Sequence, residues 1–224
     1  MQLATFREFL GAYTSASERY AEAFYGIIMV TGCTGMVTLG VPKEEAGVLF
    51  MFWTALMVGI LWGLIDGFTV IYGSIVDEVT ADVAVRNLRS GRDEAKAADY
   101  VLDELNDTLI GKLTEEDKAK VVGAIRSAQV HNRFEGRLGW PEIKRILAIM
   151  SIDVVTVFPI AMPYLLFNDM TSAVRWSFVV AIAMMAWLGY QWAKHARMSP
   201  WKMAVLFSSF TVFLLILSFA LGGI

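Results

Sequence analysis

The sequence predicts an all-α, polytopic membrane protein with five transmembrane helices and a helical cytoplasmic insert, and three observations carry that prediction. Hydrophobic residues make up 56% of the 224 residues, and the mean hydropathy of +0.53 is too apolar for an ordinary soluble domain of this length. Five apolar runs are each long enough to cross a hydrocarbon layer, which takes about 20 residues. The charges are gathered in one place: twelve of the nineteen Lys and Arg, and thirteen of the twenty-two Asp and Glu, fall between Glu78 and Arg145.

Taken in order, residues 1–22 set Phe6, Phe9, Leu10 and Tyr13 at helical spacing among Arg7, Glu8, Glu18 and Arg19, the pattern of an amphipathic helix lying on a membrane surface. Segment 23–77 holds the first two crossings. One is Ala23 to Val41, closed by the turn Pro42-Lys43-Glu44-Glu45; the other is Ala46 to Val76, long enough to tilt or project beyond the lipid. Segment 78–140 is the insert. Breaks at Ser90-Gly91 and at Gly111-Lys112-Leu113-Thr114 predict a continuation of the second membrane helix to about Leu88, a helix over 93–110 and another over 115–136. Thr114-Glu115-Glu116-Asp117 reads as a capping box.

Segment 141–224 holds three more crossings. Gly139-Trp140-Pro141-Glu142 opens the third, Ile143 to Phe167, with proline in the first turn. The fourth, Ala173 to Ala193, follows Asn168-Asp169-Met170-Thr171, and the fifth, Trp201 to Leu221, follows a basic hinge over 194–200. Five crossings put the insert and this hinge on one side, and both are rich in Lys and Arg, whereas the turns at 42–45 and 168–172 share one lysine. The positive side is cytoplasmic, so the amino terminus and insert are expected inside and the carboxyl terminus outside, in a plasma or a vacuolar membrane. A cleavable signal peptide is not expected, because the first apolar run follows some twenty polar or amphipathic residues. Cys33, the single cysteine, reads as a small buried hydrophobe.

Two apolar runs carry the same string around a carboxylate: Ile65-Asp66-Gly67-Phe68-Thr69-Val70 and Ile152-Asp153-Val154-Val155-Thr156-Val157. An ionisable group at that depth costs about 2.5–3.5 kcal/mol on insertion scales. Such a group needs a partner, a proton or a cation. Asp66 and Asp77 are eleven residues apart and share one side of a helix. Gly59, Gly63 and Gly67 form a small-residue ladder on a neighbouring stripe, which predicts a close-packed helix beside Asp66. Met150 and Thr156 lie one turn to either side of Asp153, and Pro159 and Pro163 are expected to free backbone carbonyls. Carboxylate, thioether and carbonyl oxygen together suit Fe2+ or Mn2+. Asp77, Glu78 and Asp82, with a second cluster of Asp103, Glu104 and Asp107, are placed to gather cations at the cytoplasmic mouth.

Other classes fare worse. The net charge of -3 and the matching of basic by acidic residues in the insert argue against nucleic acid. Asp66-Gly67 with Gly73-x-x-x-Asp77 is similar to the carboxylate signature of lipid-headgroup phosphotransferases, but its Ala-Arg pair is missing and Asp82 falls at the wrong spacing. With no phosphate loop, nucleophile elbow or zinc-ligand pattern in the sequence, neither a catalytic residue nor a cofactor is predicted.

The layout resembles the vacuolar iron transporter family. Phe158-Pro159-Ile160-Ala161-Met162-Pro163-Tyr164 is similar to its Pro-x-x-Pro-Tyr stretch, the likeness continues through Gly189-Tyr190, and Asp66-Gly67-Phe68-Thr69-Val70 is similar to its Asp-Gly-Leu-Thr-Val, which in the family lies on the first crossing. The resemblance implies five crossings with the amino terminus inside and a metal-binding helical insert. Together with the residue reading it gives a homodimeric, proton-coupled carrier of divalent transition metal. Asp66, Thr69, Met150, Asp153 and Thr156 would line its pathway, and the metal ligands would be drawn from Asp66, Asp77, Glu78, Asp82, Asp103, Glu104, Asp107 and Asp153. The rival expectation is a non-transporting scaffold or sensor whose buried aspartates fix helix register and whose insert binds a partner.

Overall fold

The computed structural model describes residues 3–40, 47–91, 93–106, 108–128 and 138–222. Among them the regular structure is helical: α1 (Leu3–Tyr13), α2 (Ala16–Gly40), α3 (Val48–Ser90), α4 (Glu94–Glu104), a 3-10 turn (Leu109–Lys112), α5 (Glu115–Ser127), α6 (Trp140–Ala161), α7 (Pro163–Leu166), α8 (Met170–His195) and α9 (Pro200–Gly222). Four stretches are long and apolar enough to cross a membrane: α3, α6 with α7, α8 and α9. Between the third and fourth crossings of the sequence reading lies the turn at 168–169, and the 42–45 turn and residues 129–137 fall outside the described residues.

The chain forms two compact units, residues 1–69 with 140–224 and residues 70–139. The boundary falls eight residues before the expected start of the insert at residue 78, because α3 runs unbroken from one unit into the other. At 1.5 Å per residue its 43 residues extend about 64 Å, roughly twice a hydrocarbon core.

In the first unit the surface helix is shorter than the expected 1–22. α1 stops at Tyr13, and α2 starts at Ala16 behind a capping box. The Ser15 N–H donates to Glu18 Oε2 at 2.5 Å and the Glu18 N–H donates to Ser15 Oγ at 3.1 Å, so a new helix nucleates where the amphipathic pattern alone would continue the old one. Glu18 and Arg19 therefore belong to α2. The other Glu18 oxygen accepts from Arg145 at 2.6 Å, so one carboxylate caps α2 and ties it to α6. Burial raises the Glu18 carboxyl, but the Ser15 N–H and the Arg145 guanidinium outweigh it and leave it below its ordinary value.

α2 packs against α6, α8 and α9, and α8 and α9 form a tight hairpin. Their shared core includes Ile27 and Val30 of α2, Met51 and Ala55 of α3, Val157 and Ile160 of α6, and Ala181 and Met185 of α8. The third crossing runs over Trp140–Leu166, close to the expected Ile143 to Phe167. Within it α6, which carries Pro159, ends at Ala161 and α7 begins with Pro163 at its first position, while Met162 between them keeps right-handed helical backbone. Asp169 caps α8 by accepting from the Ser172 N–H at 3.0 Å. That bond, with the Ser172 hydroxyl, holds its carboxyl below the ordinary value.

The second unit has its own small core, in which Ala84 and Leu88 of α3 meet Ala97 and Val101 of α4, with Val122 and Ile125 of α5 packed against them. The expected helix over 93–110 ends at Glu104. Beyond it the Thr108 hydroxyl accepts from the Ile110 N–H at 3.2 Å and opens the 3-10 turn instead. Thr114 caps α5 as predicted, accepting from the Asp117 N–H at 3.3 Å, and its hydroxyl donates to Asp117 Oδ2 at 3.0 Å. The described part of α5 ends at Ser127, with extended backbone at Ala128, rather than reaching 136.

Candidate functional site

The site of interest lies in the first unit, where α3 and α6 cross antiparallel along the glycine ladder. A methyl group on Gly59 would sit 3.0 Å from Val157 Cγ2, on Gly63 2.7 Å from the Met150 Cα, and on Gly67 3.1 Å from the Ile146 Cα. Each added carbon would collide with α6, so the absence of a side chain is what lets the two backbones approach. The helix expected beside Asp66 is thus α6, the helix that carries Asp153.

Asp153 sits at the tightest point. Its residue is 0% exposed. A Cβ on Gly63 of α3 would lie 2.8 Å from its Oδ2, and a Cβ on Gly26 of α2 would lie 2.7 Å from its Oδ1, so each carboxyl oxygen rests against a glycine of a different helix. Neither oxygen has a hydrogen-bond partner among the described residues. An ionised carboxylate left like this is expensive, and a proton or a cation removes the cost.

Two further acids stand close. Asp66, half-buried on α3, acts electrostatically on Asp153. Glu22 of α2 is 6% exposed and lies within electrostatic range of Asp66 and Asp153. Carboxyl groups that meet in this way hold a proton or a cation between them. Sequence reading missed Glu22 because it lay inside the presumed surface helix. The signal was present: Ser15-x-x-Glu18 starts a new helix, and Glu18, Glu22 and Gly26 then follow at steps of four along one face of it. Glu18 and Gly26 of that stripe both face α6, through Arg145 and Asp153.

The remaining residues expected on the pathway are Thr69, Thr156 and Met150. Thr69 and Thr156 hold equivalent positions in the repeated string and do the same local thing: each hydroxyl donates to the carbonyl one turn back, at 2.8 Å to Ile65 and 2.7 Å to Ile152. Thr156 is buried and Thr69 exposed. Met150 meets Gly63 through its backbone, and its side chain is half-buried. At the α6–α7 junction the Ile160 carbonyl accepts from the Ser177 hydroxyl at 2.8 Å, so this carbonyl is satisfied by protein.

The described acids of the second unit expected to gather cations at a cytoplasmic mouth lie on α3 and α4. Asp82 pairs with Arg86 at 2.6 Å on its own helix. Asp77, Glu78, Asp103 and Glu104 are exposed, and Asp107 lies outside the described residues. Burial first, and then the Glu104 and Asp77 carboxylates, push the Tyr100 phenol above its ordinary range. Among the described residues, no three His, Cys, Asp or Glu side chains close around a common point as a metal site. Glu22, Asp66 and Asp153 are therefore neighbours rather than an assembled cage.

No protein-family model matches this chain, and no curated protein matches it.

Proposed function

We propose that this chain is an integral membrane carrier of a divalent transition metal, Fe2+ or Mn2+, exchanged for protons. The observation that supports the reading most is Asp153: a carboxyl group within an apolar helix long enough to cross a membrane, set between two glycines, without a hydrogen-bond donor among the described residues, and next to two more carboxyl groups. A merely structural aspartate would be expected to keep a donor. A group that holds a proton in one state and part of a metal's charge in another has no use for a fixed one.

In this reading α2 is a fifth crossing, the amino terminus and the charged unit are cytoplasmic, and the functional form is a homodimer. Without metal, Glu22, Asp66 and Asp153 are neighbours that hold protons. Metal loading draws them together, releases their protons, and is accommodated by sliding along the glycine-lined α3–α6 contact. Asp77, Glu78, Asp82, Asp103 and Glu104 contribute a negative field at the entrance rather than ligands.

The test is metal-dependent flux in proteoliposomes. Wild-type protein should move Fe2+ or Mn2+ with opposite movement of protons, and Asp66→Asn or Asp153→Asn should reduce flux to the level of empty vesicles. Full flux in both variants overturns the mechanism. The complete burial of Asp153 favours a second reading, a scaffold or sensor whose acids set helix register. Wild-type protein that neither binds nor moves metal would select it.

A further inference from the structure

The turn between α8 and α9 joins three features that the carrier reading leaves unused. The first is charge. Lys194, Arg197 and Lys202 fall within nine residues of one another, and all three are exposed. Among the described residues none of them is ion-paired; Lys194 has only the Tyr190 ring, 5.7 Å from its Nζ. The second is a cavity of about 230 Å³ under the same turn, lined by Trp192, Ala193, Ala196, Met198, Met203 and Phe207. The third is an aromatic girdle. Trp201, 74% exposed, meets Tyr190 edge-on at 5.3 Å, the kind of residue that settles at the level of lipid headgroups.

The backbone of the turn gives these features a common origin. α8 ends in a Schellman motif: the Met198 N–H donates to the Ala193 carbonyl at 2.8 Å and the Arg197 N–H to the Lys194 carbonyl at 3.4 Å. The residue in the left-handed position of that motif is ordinarily glycine. Here it is Arg197, with φ of 56°. Ala193 and Met198, the pair whose apolar contact usually accompanies the motif, both line the cavity. One turn therefore presents an exposed guanidinium at Arg197 and, from Ala196 and Met198 on either side of it, part of the lining of an apolar recess, at the cost of an unfavourable backbone angle that glycine would relieve.

We propose that the α8–α9 turn binds one anionic phospholipid, with its phosphate held by Arg197, Lys194 and Lys202 and part of its acyl chain in the recess lined by Trp192, Met198, Met203 and Phe207. Unpaired positive charge and an apolar recess are complementary to a lipid, whereas free phosphate would use the first and leave the second empty. Basic pockets between membrane helices recognise anionic headgroups on these grounds. The inference rests on the helices being membrane-embedded and stands independently of metal transport.

The test uses the full chain purified in neutral detergent, with phosphatidylglycerol, phosphatidylcholine and inorganic phosphate as probes, read by native mass spectrometry and by thermal melting. Phosphatidylglycerol should stay bound and raise the melting temperature, and the other two should do neither. Arg197→Gly should weaken phosphatidylglycerol binding about fivefold while leaving the lipid-free melting temperature unchanged or higher, because glycine suits the left-handed angle. Lys194→Ala with Lys202→Ala should weaken binding further. Equal retention of phosphatidylcholine, binding of inorganic phosphate as firm as that of the lipid, or full phosphatidylglycerol binding by both variants would each overturn the proposal.

Discussion

The two units treat the same chemical group in opposite ways. In the charged unit, four carboxylates are answered by their own helix: Glu115 by Lys118 at 2.8 Å, Glu116 and Asp117 by Lys120 at 3.0 and 2.9 Å, and Asp82 by Arg86 at 2.6 Å. These exposed pairs keep helices soluble and contribute little stability. In the membrane unit, Asp153 has no cation within a turn, the Arg19 guanidinium one turn before Glu22 donates to the Thr14 carbonyl, and the groups set against Asp153 and Glu22 from other helices are glycines and more acid. Local spacing solves the first problem. The second is left open by the fold, and an unsolved charge in a packed interior is where chemistry is to be sought.

Glycine sharpens the contrast most, and Gly63→Leu should have the largest effect. A Cβ at that position already falls 2.7 Å from backbone of α6, so the collision cannot be relieved by turning a side chain. Overpacking of a tight contact costs about 1–3 kcal/mol, and a backbone clash belongs at the top of that range. The melting temperature in detergent should drop sharply, with loss of the monodisperse peak. A variant that melts with wild type would mean that α3 and α6 do not approach along this ladder.

Much of this arrangement was legible in the sequence. The ladder of Gly59, Gly63 and Gly67, the buried aspartates, the Thr114 cap and the acidic, basic-matched insert all follow from short-range spacing, which the fold preserves. What could not be read was which helix meets which. Nothing local says that Gly26 and Gly63, 37 positions apart, close on the two oxygens of one carboxyl group. Glu22 was hidden by a different error: hydrophobic periodicity runs across Thr14-Ser15 without a change of phase, and only the reciprocal bonds of Ser15 and Glu18 divide α1 from α2. The helix over 93–110 failed because Thr108, a side chain that competes for backbone, outweighs the surrounding apolar pattern.

Thr114→Ala should act next most strongly, and only on the charged unit. Losing the N-cap costs about 1 kcal/mol, to be seen as faster hydrogen exchange over the first turns of α5 with the membrane helices unchanged. The same variant changes the response to acid. The Lys120 ammonium and then the Thr114 hydroxyl hold the Asp117 carboxyl below its ordinary range. Its stabilising contribution is therefore present above the unfolded value, near 3.9, and is lost as pH falls through the lower folded one. Removing the hydroxyl lets the folded value rise, so protection of α5 should begin to fail at a higher pH than in wild type. An unshifted acid midpoint would assign the effect to Lys120 alone.

The smallest effect should come from Gly123→Ala, and its sign is what matters. Gly123 lies inside α5, exposed, with open space around the position a Cβ would take. Glycine there serves no approach, and alanine should stabilise α5 by about 0.5–1 kcal/mol through helix propensity alone. Set beside Gly63, this gives one residue type with opposite responses: removal of glycine breaks the membrane unit and firms the charged one. Slower hydrogen exchange across α5 is the expected result. Faster exchange would mean that the exposed face of α5 is covered in the working protein by a surface that needs the missing side chain, and the charged unit would then have an interface of its own to be found.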